Sequence, residues 1–133
     1  MLRDLETIRL ALNVVETGHL VFGTLHTTSA VRIKDRIIDV FPAAEKDIVR
    51  STSSESLQPV ISQILLKKPG DGRVAAHEIM MGTSAIRNLI REDKVAQMYL
   101  AIQAVATGGM QTLDQFLKDL LSKGMASREA EKK

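Results

Sequence analysis

The sequence predicts an α/β fold, and three observations carry that reading. Apolar residues recur at helical spacing over most of the chain. Two stretches break that period: the short run His19-Leu20-Val21-Phe22-Gly23-Thr24-Leu25 and the β-like segment from Leu57 to Leu66. Pro69-Gly70-Asp71-Gly72 then marks a turn, with Arg73 to Met80 returning as the second arm of a hairpin.

The elements follow in order. Leu5, Ile8, Leu12 and Val15 form the apolar stripe of a first helix, with Asp4 as its cap and Gly18 as its stop. The run His19–Leu25 lacks alternation and suits a strand buried on both faces, as in a parallel sheet. Thr27, Thr28 and Ser29 offer caps for a second helix carrying Val31, Ile33, Ile37 and Ile38, which Pro42 stops. A third helix is expected from Ala43 to about Ser54. Pro59 puts the start of the first hairpin strand at a sheet edge. Helices are then expected over Ser84–Glu92, Lys94–Ala106 and Thr112–Ser122. The last has Leu113, Phe116, Leu117, Leu120 and Leu121 on one face. A single parallel-type strand needs neighbours on both edges, so the chain reads as the back half of a larger sheet domain.

Composition narrows the function. The 133 residues suffice for one domain, and 44% hydrophobic with 26% charged residues is a globular balance. Eighteen basic against sixteen acidic side chains leave a net charge of +2, and aromatics are 3%, so no nucleic-acid surface is indicated. Cys is absent, which removes disulfides, thiol chemistry and zinc ribbons. No export signal or membrane-spanning run is read, and a cytosolic location is expected.

Three blocks carry a resemblance. Leu2-Arg3-Asp4-Leu5-Glu6-Thr7 resembles the residues that follow an acidic Walker B motif. Thr17-Gly18-His19-Leu20-Val21-Phe22-Gly23-Thr24-Leu25-His26-Thr27 resembles a histidine box. Ala85-Ile86-Arg87-Asn88-Leu89-Ile90-Arg91-Glu92 resembles a retraction-type signature. Together they are similar to the secretion ATPase superfamily, and within it to the type IV pilus retraction ATPases of twitching motility. The likeness runs from Leu2 to about Leu121, and the lack of Cys agrees with the retraction branch, whose assembly and secretion siblings commonly carry paired zinc cysteines.

The resemblance implies the C-terminal part of a RecA-like P-loop NTPase core with a β-hairpin, followed by a C-terminal helical bundle. Residues 1–81 would be the back of the ATPase core, 82–126 a helical region, and 127–133 a frayed polar tail. It implies a hexamer that uses ATP and Mg2+ to disassemble pilin, cytoplasmic and held at the inner membrane through the pilus platform proteins, without direct membrane insertion. No Gly-Lys dipeptide is present for a phosphate loop, and the family's catalytic Glu corresponds to Met1. The chain alone is therefore expected to hydrolyse ATP negligibly and to bind no nucleotide tightly. Two alternatives stand beside the motor: a non-catalytic module that docks on intact motor subunits, and a piece of an assembly or type II secretion sibling. Thr52-Ser53, where the family tends to be apolar, and Ser84, where Pro is usual, depart from its pattern.

Each candidate residue has two readings. His26, with Thr27 and Thr28 at a helix start, lies where a phosphate can be sensed, or serves only as strand-end packing and a helix cap. His19, seven residues back and roughly 23 Å away along an extended strand, cannot share a metal with it; no metal site is expected. His19 belongs to the histidine box or to a subunit contact. Arg3, Asp4 and Glu6 either complement the helix dipole or, as the resemblance implies, help arrange the nucleotide site. Ala85–Glu92 reads as a surface helix with Ile86, Leu89 and Ile90 inward and Arg87, Asn88 and Arg91 outward; the resemblance makes it a coupling element. Lys67, Lys68 and Arg73 read as a solvated hairpin end.

Overall fold

The computed structural model describes residues 2–26, 29–104 and 109–125. Within them the fold is α/β: a two-stranded antiparallel hairpin with helices packed around it. Helix α1 (Leu5–Glu16) starts where Asp4 accepts a 2.8 Å bond from the Thr7 amide, and it ends at Thr17. Gly18, at φ 89°, then reverses the chain in a conformation that other residues adopt only at a cost.

The segment 19–25 is not a strand. Among the described residues it runs extended with no ladder partner and makes one backbone bond to a distant residue, from the Leu2 amide to the Thr24 carbonyl oxygen, at 2.8 Å. The apolar run has the composition of a parallel strand, but among the described residues no segment lies alongside to complete the pairing. Helix α2 (Ile33–Ile38) is shorter than its apolar pattern predicts. Ser29 does not cap it, because α2 begins four residues later with Arg32 at the capping position; the Ser29 hydroxyl is 2.8 Å from the Tyr99 hydroxyl, and Thr27 and Thr28 lie outside the described residues. Pro42 opens the next element instead of stopping α2. That element is a 3-10 turn (Ala43–Glu45) running into helix α3 (Lys46–Ser56).

Strands β1 (Val60–Lys67) and β2 (Arg73–Met80) pair from Val60↔Met80 to Lys67↔Arg73. Alternation sends Val60, Ser62 and Leu66 inward and leaves Ile61 and Leu65 exposed. The outer edge of β2 is partly covered by Gln111, which exchanges two backbone bonds with Ile79. Gly82 follows because a Cβ there would fall 2.1 Å from the Leu57 carbonyl oxygen. Thr83 then caps helix α4 (Ser84–Arg91), ahead of α5 (Val95–Ala104). Residues 105–106 of the expected fifth helix lie outside the described residues. Helix α6 (Leu113–Ser122) begins with a reciprocal Thr112–Gln115 capping box.

Three apolar clusters hold these elements together. One joins Val31, Val60 and Met80 to Ile86, Ile90, Met98 and Ile102, so the hairpin base, α4 and α5 share a core. A second packs Ile8 of α1 on Ile37, Ile38, Phe41 and Val49. The third seats α6 on the far end of the hairpin through Leu66, Ala76, Leu117 and Leu120. The predicted stripe of α6 is the face that packs there.

Candidate functional site

Helix α1 and the extended segment run side by side in opposite directions, and this fixes which candidate residues meet. The Leu2–Thr24 bond brings the start of α1, with Arg3, Asp4 and Glu6, beside the residues that lead into His26. Leu25 holds that end down by packing, as Leu2 and Leu5 do, against the buried cluster that includes Ile8. His26 is exposed, as are Arg3, Asp4 and Glu6. Hydrogen bonds from Thr7, its amide first, hold the Asp4 carboxyl below its ordinary value. Asp4 is thereby a fixed anion that caps α1, not a group that exchanges protons near neutrality.

His19 lies at the other end of α1, beyond the Gly18 turn, where its Nδ1 is 2.9 Å from the Thr17 hydroxyl. The twelve residues of α1, about 18 Å of helix, separate it from the Asp4 end. The two histidines therefore belong to different places, and the described residues contain no cluster of three metal-ligating side chains.

Beyond His26 the chain is tied to the C-terminal elements by three polar contacts. Ser29 meets Tyr99 of α5. The Ala30 amide donates at 2.8 Å to Oε1 of Glu78, a buried β2 carboxylate whose other oxygen accepts from the Leu113 amide of α6 at 3.4 Å. Lys34 of α2 has a side chain only 1% exposed, and its Nζ is 2.5 Å from Oδ1 of both Asp35 and Asp93. Asp93 sits in the turn between α4 and α5, at φ 57°. Sequence reasoning missed all three contacts. A signal for two of them was present: Lys34 occupies the buried stripe of Val31, Ile37 and Ile38, and Glu78 occupies the inward register of Ala76 and Met80.

Helix α4 carries the Ala85–Glu92 block, with Ile86 and Ile90 fully buried, Leu89 half-buried, and Ala85, Asn88, Arg91 and the capping Glu92 exposed. Arg87 departs from the expected outward position: it is half-buried, with its Nε shielded and unbonded. Arg91 reaches back to Asn88 and approaches Glu55 of α3 at 3.8 Å. Lys67, Lys68 and Arg73 are exposed at the hairpin end. An open cleft of about 1090 Å³ lies between α1, the extended segment and β1. Its rim includes Leu20 and Phe22, 72% and 91% exposed.

A buried lysine and a buried glutamate bind the histidine-bearing segment to a C-terminal helical layer, and this arrangement sits in a sequence whose first half has a recognisable profile. Residues 1–70 match the profile of the family described as type II/IV secretion system protein, and the chain belongs to that family. Among individual proteins, it is 73% identical over 128 residues to the type IV pilus retraction ATPase PilT of Pseudomonas aeruginosa, covering 96% of this chain and 37% of that one. It is 58% identical over 130 residues to a twitching motility protein of Neisseria gonorrhoeae, covering 97% of this chain and 35% of that one. The structure superposes on a crystal structure of the pilus retraction motor PilT with bound ADP, with a TM-score of 0.88 and 47% identity, over 98% of this chain and 36% of that one. The ATPase DotB of Legionella pneumophila gives a TM-score of 0.82 at 26% identity, over 98% of this chain and 35% of that one. The chain thus spans about a third of the length of the relatives it matches, and it overlays the C-terminal part of these ATPases.

Proposed function

We propose that the chain acts as the C-terminal segment of a hexameric ATP-hydrolysing motor that retracts type IV pili. The observation that supports this most is its 73% identity, over nearly its whole length, to a retraction ATPase. Residues 1–81 contribute one side of the nucleotide site, and 82–126 the layer that moves with it. His26 senses the phosphates of ATP, with Thr27, Thr28, Arg3, Asp4 and Glu6 in support, and Ala85–Glu92 couples nucleotide state to subunit motion. In the intact motor ATP would be used with Mg2+, in the cytoplasm, against the inner-membrane platform of the pilus.

A complete phosphate loop is not expected of this chain, which holds no Gly-Lys dipeptide. Phosphate binding needs several converging backbone N–H groups with a lysine, and here the Asp4 carboxylate is already engaged as a helix cap. What this chain supplies is placement: the three contacts beyond His26 keep it in register with α4, α5 and α6.

The test is genetic. Disrupting the coding sequence in the source cell should abolish twitching while leaving pili on the surface, and His26→Ala should do the same with the protein still present. Undiminished twitching in both strains would sink the motor reading. A strain without surface pili would point to the assembly or secretion branch instead.

A further inference from the structure

Thr17 closes α1, and its hydroxyl lies between two groups: 2.7 Å from the Val14 carbonyl oxygen and 2.9 Å from Nδ1 of His19. A carbonyl oxygen only accepts, so the first contact uses the single hydroxyl proton of Thr17. A lone pair of the same oxygen is then left facing Nδ1. Both bonds form together only if Nδ1 carries a proton and donates it.

The other neutral tautomer, protonated at Nε2, would set a lone pair against a lone pair. Relief costs one of the two bonds: either the hydroxyl turns away from Val14, whose carbonyl would keep just the 3.4 Å contact from the His19 amide, or the exposed ring swings away from Thr17. The Gly18 turn between the two residues holds them at this spacing. His19 is exposed, and among the described residues its Nε2 makes no hydrogen bond.

We infer that Thr17 is a positioning residue for His19: it holds the neutral ring as the Nδ1–H tautomer and leaves Nε2 bare, so that His19 takes a hydrogen-bond donor (water, a hydroxyl or an N–H group) and not a phosphate oxygen. A bare nitrogen lone pair repels an anionic oxygen, whereas it accepts readily from O–H or N–H. The two histidines then divide their work, with phosphate left to His26. That consequence rests on the motor reading above; the tautomer does not.

Imidazole 15N spectra of the 15N-labelled chain test it directly, at about pH 8, where an ordinary histidine is neutral. The expected result is a protonated Nδ1 and a bare Nε2 for His19 in the wild type and in Thr17→Ser. Thr17→Val, which keeps the shape and removes the hydroxyl, should lower the ratio of the two tautomers roughly fivefold, the worth of one neutral hydrogen bond. An Nε2–H signal in the wild type, or an unchanged ratio in Thr17→Val, would overturn the inference. The amide spectrum checks that α1 survives the substitution, and Thr17→Ala repeats the measurement if it does not. Inorganic phosphate added to the wild type should leave the His19 signals in place, and a saturable shift there would overturn the choice of ligand. None of these readings depends on motor activity, so a failed twitching assay and a failed tautomer assay are separate results.

Discussion

Asp93→Asn isolates the contact between α2 and the turn that follows α4. Asparagine keeps the size of the side chain and tolerates the left-handed backbone that Asp93 occupies at φ 57°, so the change removes charge and little else. The ammonium of Lys34, buried at 1% exposure, then keeps only the Asp35 carboxylate. A hydrogen bond between charged partners contributes about 1.5–3 kcal/mol. Asp93 is half exposed, and solvent screening brings the expected loss to about 1–2 kcal/mol. For a domain of this size that is a fall in Tm of about 3–10 °C. The loss has a pH signature. The hydrogen bond from Lys34 holds the Asp93 carboxyl below its ordinary value, against the opposing effect of burial and with the charges of Lys34 and Arg50 adding to it. A carboxyl depressed by folding stabilises fully above its unfolded value of about 4, and that stabilisation fades as pH falls through the folded value. Urea melts of wild type and variant should therefore differ fully above about pH 5 and converge below about pH 4. Asp93→Ala should cost about 1 kcal/mol more than Asp93→Asn, because alanine pays for the left-handed conformation. Equal stability at neutral pH, or a gap that persists undiminished into acid, would refute the account.

Three further substitutions probe other points of the same frame. Glu78→Gln replaces one acceptor oxygen by an amino group that faces backbone donors, so it should destabilise by about 2 kcal/mol and speed hydrogen exchange at the Ala30 amide; unchanged exchange there would show that the carboxylate does not hold the segment. Ser53 buries a hydroxyl that has no partner among the described residues, and Ser53→Ala should stabilise by about 1 kcal/mol in the same melts, whereas a loss of stability would mean that the hydroxyl is satisfied. Leu20, Phe22 and Ile61 stand exposed around one cleft, an apolar surface of the kind that drives association. The wild-type chain should show concentration-dependent sedimentation that Phe22→Ser reduces, and a monomer at all concentrations would count against that surface as the cause.

What was legible in the sequence, and what was not, divides by the range of the interactions. Elements set by local chemistry were readable: the Asp4 cap, the Gly18 stop, the hairpin around Pro69–Gly72 and the packed face of α6 all depend on residues a few positions apart. The segment 19–25 failed for the opposite reason. Its composition is that of a strand, but a strand is a relation between segments, and no partner lies beside it among the described residues. Ser29 was misread in a related way: α2 starts four residues beyond it, and its hydroxyl meets Tyr99, seventy positions along the chain. The site repeats the pattern. Motif resemblance points to His19, His26 and the Ala85–Glu92 helix one by one, whereas the residues that relate them, Lys34, Glu78 and Asp93, belong to no motif. The signal of Lys34 and Glu78 is a charge in a register that should be apolar; Asp93, half exposed in a turn, carries no such signal. A buried ion is costly unless something is tied to it, and here Lys34 and Glu78 each bind a segment near His26 to a different C-terminal element. If the chain works as a motor segment, variants on the exposed face of α4 should change coupling alone, whereas variants at Lys34 and Glu78 should lower stability and coupling together. They sit where the two halves meet, and the exposed face can alter a partner contact without disturbing that junction.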